Sequence, residues 1–298
     1  MPVVLSVAYH SLGALQRLAH DLARQRLSTV RWLVIDNSPQ SAPLQASDLE
    51  DHPGLLLELV PGVEGDGFGA GCNRGFEHLL KAGWRGWIWL LNPDTALPRG
   101  DELHQLSQAL TDLPPQALVG TAVRDPTGGL EPSGGWIDPG LDFRRRRLGA
   151  ANLITDANPL AVDWLSGCSL VLQSSAHDPM ARFDPAFPLY YEDMDLCLRL
   201  AAAGAPVLWL PAVAVSHQRG EGSHTSSARR QRLATVSYLR FIQRHRPPWV
   251  LALRTLRLLL TTLLRLPARP RRSWATLVAL AQALAPVPPT PGATAARR

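Results

Sequence analysis

The chain has 298 residues at 32.5 kDa and is 46% hydrophobic, which suffices for a buried core and excludes a disordered chain. Its formal net charge of +5 hides a division: residues 1–221 hold 16 basic against 25 acidic groups, and beyond Glu221 there are fourteen arginines and no acid. An anionic partner is therefore sought for each part separately, and three scattered cysteines, Cys72, Cys168 and Cys197, give no sign of a zinc site or a disulfide framework.

The sequence opens on an apolar strand pattern, Val3–Tyr9, without the basic and longer apolar stretches of a signal peptide, so a cytoplasmic protein is expected. Leu15, Leu18 and Leu22 give Leu12–Arg26 helical spacing. Trp32–Ile35 reads as a second strand ending at Asp36-Asn37-Ser38-Pro39, and Leu55–Val60 as a third. A glycine-dense loop, Gly62–Gly71, precedes a helix from about Cys72 to Ala82, and the strand Trp87–Leu91 stops at Asn92-Pro93-Asp94-Thr95. This alternation is that of an α/β domain with a mostly parallel sheet. Ligands of such sheets bind beyond the carboxyl ends of the strands, where Asp36 and Asp94 would face one pocket. Pro126–Leu160, rich in Gly, Pro and polar residues and containing Arg144–Arg147, reads as long loops or short hairpins. Order resumes at Val162–Leu172. A helix spans about Tyr191–Ala203, stopped by Gly204, and Pro206–Leu210 and Val213–His217 read as two short strands. From Thr225 the pattern is helical with breaks at Pro247-Pro248, Pro267 and Pro270, and Ala285–Arg298 has the composition of a disordered tail. The expected division is 1–224, 225–284 and 285–298.

Gly65-Asp66-Gly67-Phe68-Gly69-Ala70-Gly71 before a helix admits two readings, backbone N–H groups cradling a phosphate or a flexible turn. It is not a dinucleotide fingerprint, because it follows the third strand and no G-K-[ST] comes after it. Asp36 and Asp94, taken singly, are turn formers or caps; as a pair in one crevice they suit a hydroxylated or metal-bound ligand, with Mg²⁺ or Mn²⁺ favoured by oxygen ligands. Glu192-Asp193-Met194-Asp195 sets three carboxylates in the first turn of a helix, where the macrodipole stabilises negative charge. At 100° per residue Glu192, Asp195 and Arg199 share one face suited to an internal ion-pair network. Asp193 is turned away beside Leu200 and Cys197, in position to meet a substrate. His217 ends a strand and takes its meaning from what it meets.

Within Trp249–Leu266, Arg254, Arg257, Thr261 and Arg265 recur at three- and four-residue spacing beside a broad surface of leucines, a basic amphipathic helix. Two accounts fit it. Either the leucines pack on the domain and the arginines are solvated, or the helix lies on an anionic leaflet near a lipid-linked acceptor, each Arg contributing about 1 kcal/mol. The same arginines interrupt the only candidate membrane span. Tyr238, Phe241, Trp249 and Trp274 are too sparse for a nucleic-acid surface.

In chain order, Val34-Ile35-Asp36-Asn37-Ser38, then Gly67-Phe68-Gly69-Ala70-Gly71-Cys72-Asn73-Arg74-Gly75, Leu91-Asn92-Pro93-Asp94-Thr95, Ser166-Gly167-Cys168, Phe183-Asp184, the block Leu189–Arg199 and His217 resemble family 2 glycosyltransferases of the GT-A fold. Within them the bacterial rhamnosyltransferase-like branch is the most similar. The resemblance covers about residues 3–220, and its most specific part is the tyrosine-rich E-D-x-D-L-C-x-R block following N-P-D. It implies a Rossmann-like, mixed and mostly parallel sheet flanked by helices, to which the basic helical extension is added at the C-terminus. It implies inverting transfer of a sugar, with rhamnose as the leading candidate, from a nucleotide-diphosphate donor to a glycan or lipid-linked acceptor in cell-surface polysaccharide synthesis. By the same resemblance Asp36, Asn37, Gly69, Asn73, Arg74 and Asp94 would bind the donor nucleotide, and Asp94 with His217 would hold Mg²⁺ or Mn²⁺. Asp193 would be the general base with Glu192 beside it, and Trp164, Gly167 and Tyr191 would face the acceptor. Asn92-Pro93-Asp94 departs from the pattern, keeping one carboxylate where many relatives have two or three, which puts metal dependence in question. The enzyme would work at the cytoplasmic face of the inner membrane, bound peripherally through its C-terminal helices to an anionic surface, with no nucleic-acid partner. The rival is an inactive sugar-nucleotide or glycan-binding protein on the same fold. A dinucleotide-dependent oxidoreductase fails for want of an acidic residue at the expected place in a first βαβ unit.

Overall fold

The computed structural model describes residues 1–49, 52–138, 145–149, 158–173, 175, 181–218 and 227–283, so the expected boundary at residue 224 and the segment 285–298 lie outside the described residues. The strands are β1 (Val3–Ala8), β2 (Val30–Asp36), β3 (Leu55–Pro61), β4 (Ile88–Leu91), β5 (Thr95–Ala96), β6 (Leu118–Arg124), β7 (Gly134–Ile137), β8 (Arg145–Arg147), β9 (Leu160–Ala161), β10 (Trp164–Leu165), β11 (Ser169–Leu172) and β12 (Val207–His217). The helices are α1 (Leu12–Ala23), α2 (Phe68–Lys81), α3 (Glu102–Ala109), α4 (Glu192–Ala202), α5 (Ser227–His245), α6 (Pro248–Arg265) and α7 (Pro270–Ala283).

Among the described residues nine strands form one mixed sheet in the order β3-β2-β1-β4-β11-β6-β12-β5, with β9 on β12, while β7, β8 and β10 form a small second sheet. Pairing is parallel from β3 to β4 and between β6 and β12, and β11 runs antiparallel between β4 and β6. Successive side chains of a strand point to opposite faces, and both faces here are covered. Leu33 and Ile35 pack with Cys72, Phe76 and Leu79 of α2 on one side. Trp32 and Val34 pack with Leu15, Leu18 and Leu22 of α1 on the other. The register Ala8↔Asp36 brings Asp36 to the carboxyl edge of the sheet.

Two elements differ from the sequence expectation for identifiable reasons. Helix α2 begins at Phe68, a full turn before Cys72, with Gly67 as an extended N-cap. The last four residues of the glycine-dense stretch, Phe68–Gly71, are therefore helix. A Cβ on Gly71 would lie 2.5 Å from Val7 Cγ1 and one on Gly75 2.7 Å from Leu5 Cδ1, so these glycines let α2 sit directly on β1. The two strands expected around Pro211 are one, β12, with a register shift between Leu210 and Ala214. That irregularity falls at the residue that lacks an N–H to donate.

Helix α5 belongs to the core of the catalytic unit. Phe241 is fully buried and packs with Trp164, Phe187 and Met194, with Tyr191 against the same cluster. Asp195 of α4, also fully buried, accepts from Arg199 Nε at 2.7 Å and meets His245 Nε2 at 2.8 Å, while Arg244 pairs with Asp184 and stands 3.6 Å from Asp195. Helices α6 and α7 stack on α5 through Leu251, Leu258, Leu259, Leu277 and Leu280. The packing account of the leucines in Trp249–Leu266 holds for one face of α6, and the other face is exposed. These leucines pack inward, whereas Leu253, Leu256, Leu260 and Leu263 are exposed and Leu264 is 81% exposed, flanked by exposed Trp249 and Trp274.

Candidate active site

The antiparallel pairing of β5 with β12, His217↔Thr95, and the hydrogen bond from Gln218 N–H to Asp94 O (2.8 Å) set His217 beside Asp94. His217 Nε2 stands 3.4 Å from Asp94 Oδ1, and Nδ1 is 3.0 Å from Glu131 Oε2. Burial disfavours the imidazolium, but the hydrogen bonds from Asp94 and Glu131 outweigh it and the His217 pKa is raised. Glu131 lies 86 residues away in the stretch read as loops, and no local pattern marks it. Among the described residues no group of three or more His, Cys, Asp or Glu is arranged to hold a metal. The donor set is thus a pair, with Glu131 fixing the imidazole so that Nε2 faces Asp94, the usual arrangement behind a metal-binding histidine. An imidazole nitrogen and a carboxylate oxygen 3.4 Å apart suit a divalent ion, and Asp94 and His217 would hold one as a pair of ligands.

At the start of α4, Tyr190 and Tyr191 both have left-handed backbones, φ 65° and 69°. Consecutive aromatic residues in that region are strained and persist only where packing holds them. Here the Tyr191 ring lies 5.2 Å from Phe241 and 5.9 Å from Tyr238. Asp193 Oδ2 accepts the Gly167 N–H at 3.0 Å and Oδ1 that of Met194 at 2.8 Å, which fixes the carboxylate's orientation. Glu192 does not join Asp195 and Arg199 as its position on the helix suggests, because His245 and Arg244, supplied by α5, complete the Asp195 network. The Glu192 Oε2 atom is sealed from solvent without a hydrogen-bond partner. Burial, and then the charge of Asp193, push its pKa up to about 8.

Both carboxylates line a cavity of about 450 Å³ whose other walls are Tyr190 and Tyr191, Gln231, Thr235 and Tyr238 of α5, and Leu258 of α6. The contribution of α5 is absent from the sequence reading, although Gln231, Thr235 and Tyr238 follow the spacing of one helix face. Of the three expected acceptor-side residues, only Tyr191 lines the cavity. Trp164 lies beneath it, 5% exposed, in the Phe241 cluster, and Gly167 acts through its N–H to Asp193. The two parts of the site are joined, since Cys168 O, next to Gly167, accepts the Asn92 N–H at 3.1 Å and so anchors the loop that carries Asp94.

Four of the expected donor-binding residues are engaged in building the scaffold. Asp36 accepts the N–H groups of Ser38 (3.0 Å) and Leu44 (2.8 Å), the turn-forming account. Asn37 is fully buried, donating to Asp66 O at 3.1 Å and accepting from Val63 N at 3.3 Å, which staples β2 to the glycine loop. Asn73 exchanges hydrogen bonds with the Phe183 backbone at 2.7 and 2.8 Å, and a Cβ on Gly69 would meet Phe183 Cβ at 2.8 Å. Asn37, Asn73 and Gly69 therefore have a positioning role in the scaffold. Arg74 is 38% exposed beside Asp66, with its Nε unsatisfied, and remains with Asp94 as a group able to reach a donor.

The family model of glycosyl transferase family group 2 matches residues 87–287. A curated relative, the N-acetylglucosaminyl-diphospho-decaprenol L-rhamnosyltransferase of Mycobacterium tuberculosis, is 28% identical over 249 residues, covering 75% of this chain and 77% of the relative. In fold the chain is similar to the mannosyltransferase PcManGT from Pyrobaculum calidifontis in complex with GDP-Man and Mn²⁺, with a TM-score of 0.55 and 16% identity, covering 94% of this chain and 85% of that one. It is similar also to GalNAc-T7 with UDP, GalNAc and Mn²⁺, with a TM-score of 0.59 and 16% identity, covering 82% of this chain and 47% of that longer one. The fold is therefore GT-A. The family match runs beyond the last sequence motif at His217 and through α5 and α6, which complete the cavity, and α7, and the chain belongs to glycosyl transferase family group 2.

Proposed function

We propose that this glycosyltransferase moves a sugar, rhamnose in the first instance, from a nucleotide-diphosphate donor to a hydroxyl of a lipid-linked sugar with inversion of the anomeric centre. The observation that carries the reading is Asp193, held by two backbone N–H groups inside the cavity and tied through Cys168 and Asn92 to the Asp94–His217 pair. Asp193 takes the proton of the acceptor hydroxyl as its oxygen bonds the anomeric carbon and the bond from that carbon to the donor diphosphate breaks. One base and one displacement give inversion, as in inverting glycosidases with water replaced by the acceptor. Glu192, protonated at neutral pH, leaves proton acceptance to Asp193. Asp94 and His217 would hold Mg²⁺ or Mn²⁺, which when bound supplies charge stabilisation to the leaving diphosphate; both solved structures above carry Mn²⁺. The name of the Mycobacterium tuberculosis relative supports the sugar and a lipid-linked diphosphate acceptor.

No helix among the described residues is long and apolar enough to cross a membrane. The outward leucines of α6, with arginines on the same helix and no acid after Glu221, fit a peripheral contact with an anionic leaflet at the cytoplasmic face. The deciding experiment is Asp193→Asn. Turnover is expected to fall by at least about 10² with the donor dissociation constant unchanged, and unaltered turnover would overturn the base assignment. Full activity in EDTA would remove the metal.

A further inference from the structure

Next to the acid-lined cavity lies a second, of about 140 Å³, between α5, α6 and α7. Arg265, Arg269 and Arg272 line it, together with the hydroxyls of Thr262, Ser273 and Thr276. These three hydroxyl residues are buried, at 6%, 5% and 5% exposure. Among the described residues none of the three guanidinium groups forms an ion pair, and no acid occurs in the sequence after Glu221. The three arginines are exposed to solvent, and a guanidinium fork matches phosphate oxygens.

The two cavities adjoin, with Gln231 and Leu258 lining both. A ligand filling them presents a hydroxyl to Asp193 at one end and a multiply charged anion to the arginines at the other. Beside the arginines, Leu260, Leu263 and Leu264 of α6 are exposed, Leu264 at 81%. Hydroxyl, anion and apolar chain in that order describe a sugar joined through a diphosphate to a lipid. The geometry points to the arginine cavity as the binding site for the diphosphate of the lipid-linked acceptor, with the lipid leaving along the outward leucines of α6. This rests on the acceptor reading of the Asp193 cavity. It explains the accumulation of arginine in the tail by a substrate contact in addition to a membrane contact.

The test uses the full chain with Arg265→Gln and Arg272→Gln, singly, their melting temperatures checking the fold. Inorganic pyrophosphate and geranyl diphosphate, titrated without donor or metal, should bind the wild type and bind each variant at least about tenfold more weakly. The preference for a diphosphate-linked acceptor over an alkyl glycoside of the same sugar, measured as a ratio of kcat/KM, should fall by about the same factor. Failure of the wild type to bind either diphosphate overturns the proposal even if a variant does not fold. A rise in the donor KM with an unchanged acceptor ratio assigns the cavity to the donor diphosphate instead. Loss of flotation on phosphatidylglycerol vesicles, with diphosphate binding and the ratio intact, assigns it to a phospholipid headgroup; both results refute the inference. Neither bears on Asp193, whose own substitution tests the underlying reading separately.

Discussion

Glu192 is protonated at neutral pH because burial, then the negative charge of Asp193, raise its pKa from 4.5 to about 8. Between those values the folded chain binds a proton that the unfolded chain has released. This group's contribution is therefore fully present below the unfolded value and is lost as pH rises towards 8. Glu192→Gln keeps the shape and removes the titration. The melting temperature of the wild type is expected to fall relative to the variant from about pH 5 to 8 and to converge with it below; parallel curves would show an ordinary carboxylate. At this scale the sequence reveals which residues can do chemistry and not which are available for it. Asp94, Asp193 and His217 stand out through the family resemblance and not singly, because a strand-end aspartate or a first-turn carboxylate serves equally as a turn former or a cap. Asn37 and Asn73 look alike in sequence, yet an amide takes whatever partners the fold brings, and here those are Asp66, Val63 and Phe183.

At the scale of elements, Gly71 and Gly75 of α2 are explained by the close approach of β1. Gly71→Ala gains helix propensity of about 1 kcal/mol but drives a methyl into Val7 and the Asn37 amide, an overpacking cost of about 1–3 kcal/mol. Lower stability is expected in urea denaturation, and an equal or higher midpoint would show that Val7 yields. Helix α6 carries a second expectation. Its outward leucines are spaced on one face, so Leu256→Glu with Leu260→Glu should abolish flotation on anionic vesicles while the fold, held by the inward Leu251, Leu258 and Leu259, is retained. Undiminished flotation would refute the membrane face.

Across the whole molecule, the tail and the catalytic unit are joined by a buried charge cluster in which Asp184 and Asp195 face Arg199, Arg244 and His245. Burial opposes the charge on Asp195, but bonds to His245 and Arg199 hold its pKa below the ordinary value. Its contribution is present above the unfolded carboxylate pKa of 3.8 and is lost as pH falls through the lower folded value. Arg244→Met leaves carboxylates buried with fewer partners, at a cost of about 3–5 kcal/mol. Hydrogen exchange should quicken in α5, α6 and α7 more than in the central sheet, and uniform acceleration would argue against a local tether. A chain ending after residue 226 should lose activity, because the acceptor cavity loses the wall formed by Gln231, Thr235 and Tyr238.

Periodicity and turn chemistry were sufficient by themselves for the α/β class and for β1 to β4 along the chain, because alternating burial is local, and the family resemblance carried by the motifs named Asp94, Asp193 and His217 as candidates. The tertiary structure alone decided that Glu131 backs His217, that Glu192 leaves the ion-pair network for the cavity, and that Phe241 of α5 packs with Trp164, Phe187 and Met194. In each case the partner comes from a distant part of the chain, and only the folded arrangement determines what a charged group meets when it leaves water. The split between an acidic body and an arginine tail was visible in the sequence; that the two meet over Asp195, across from the acceptor cavity, was not.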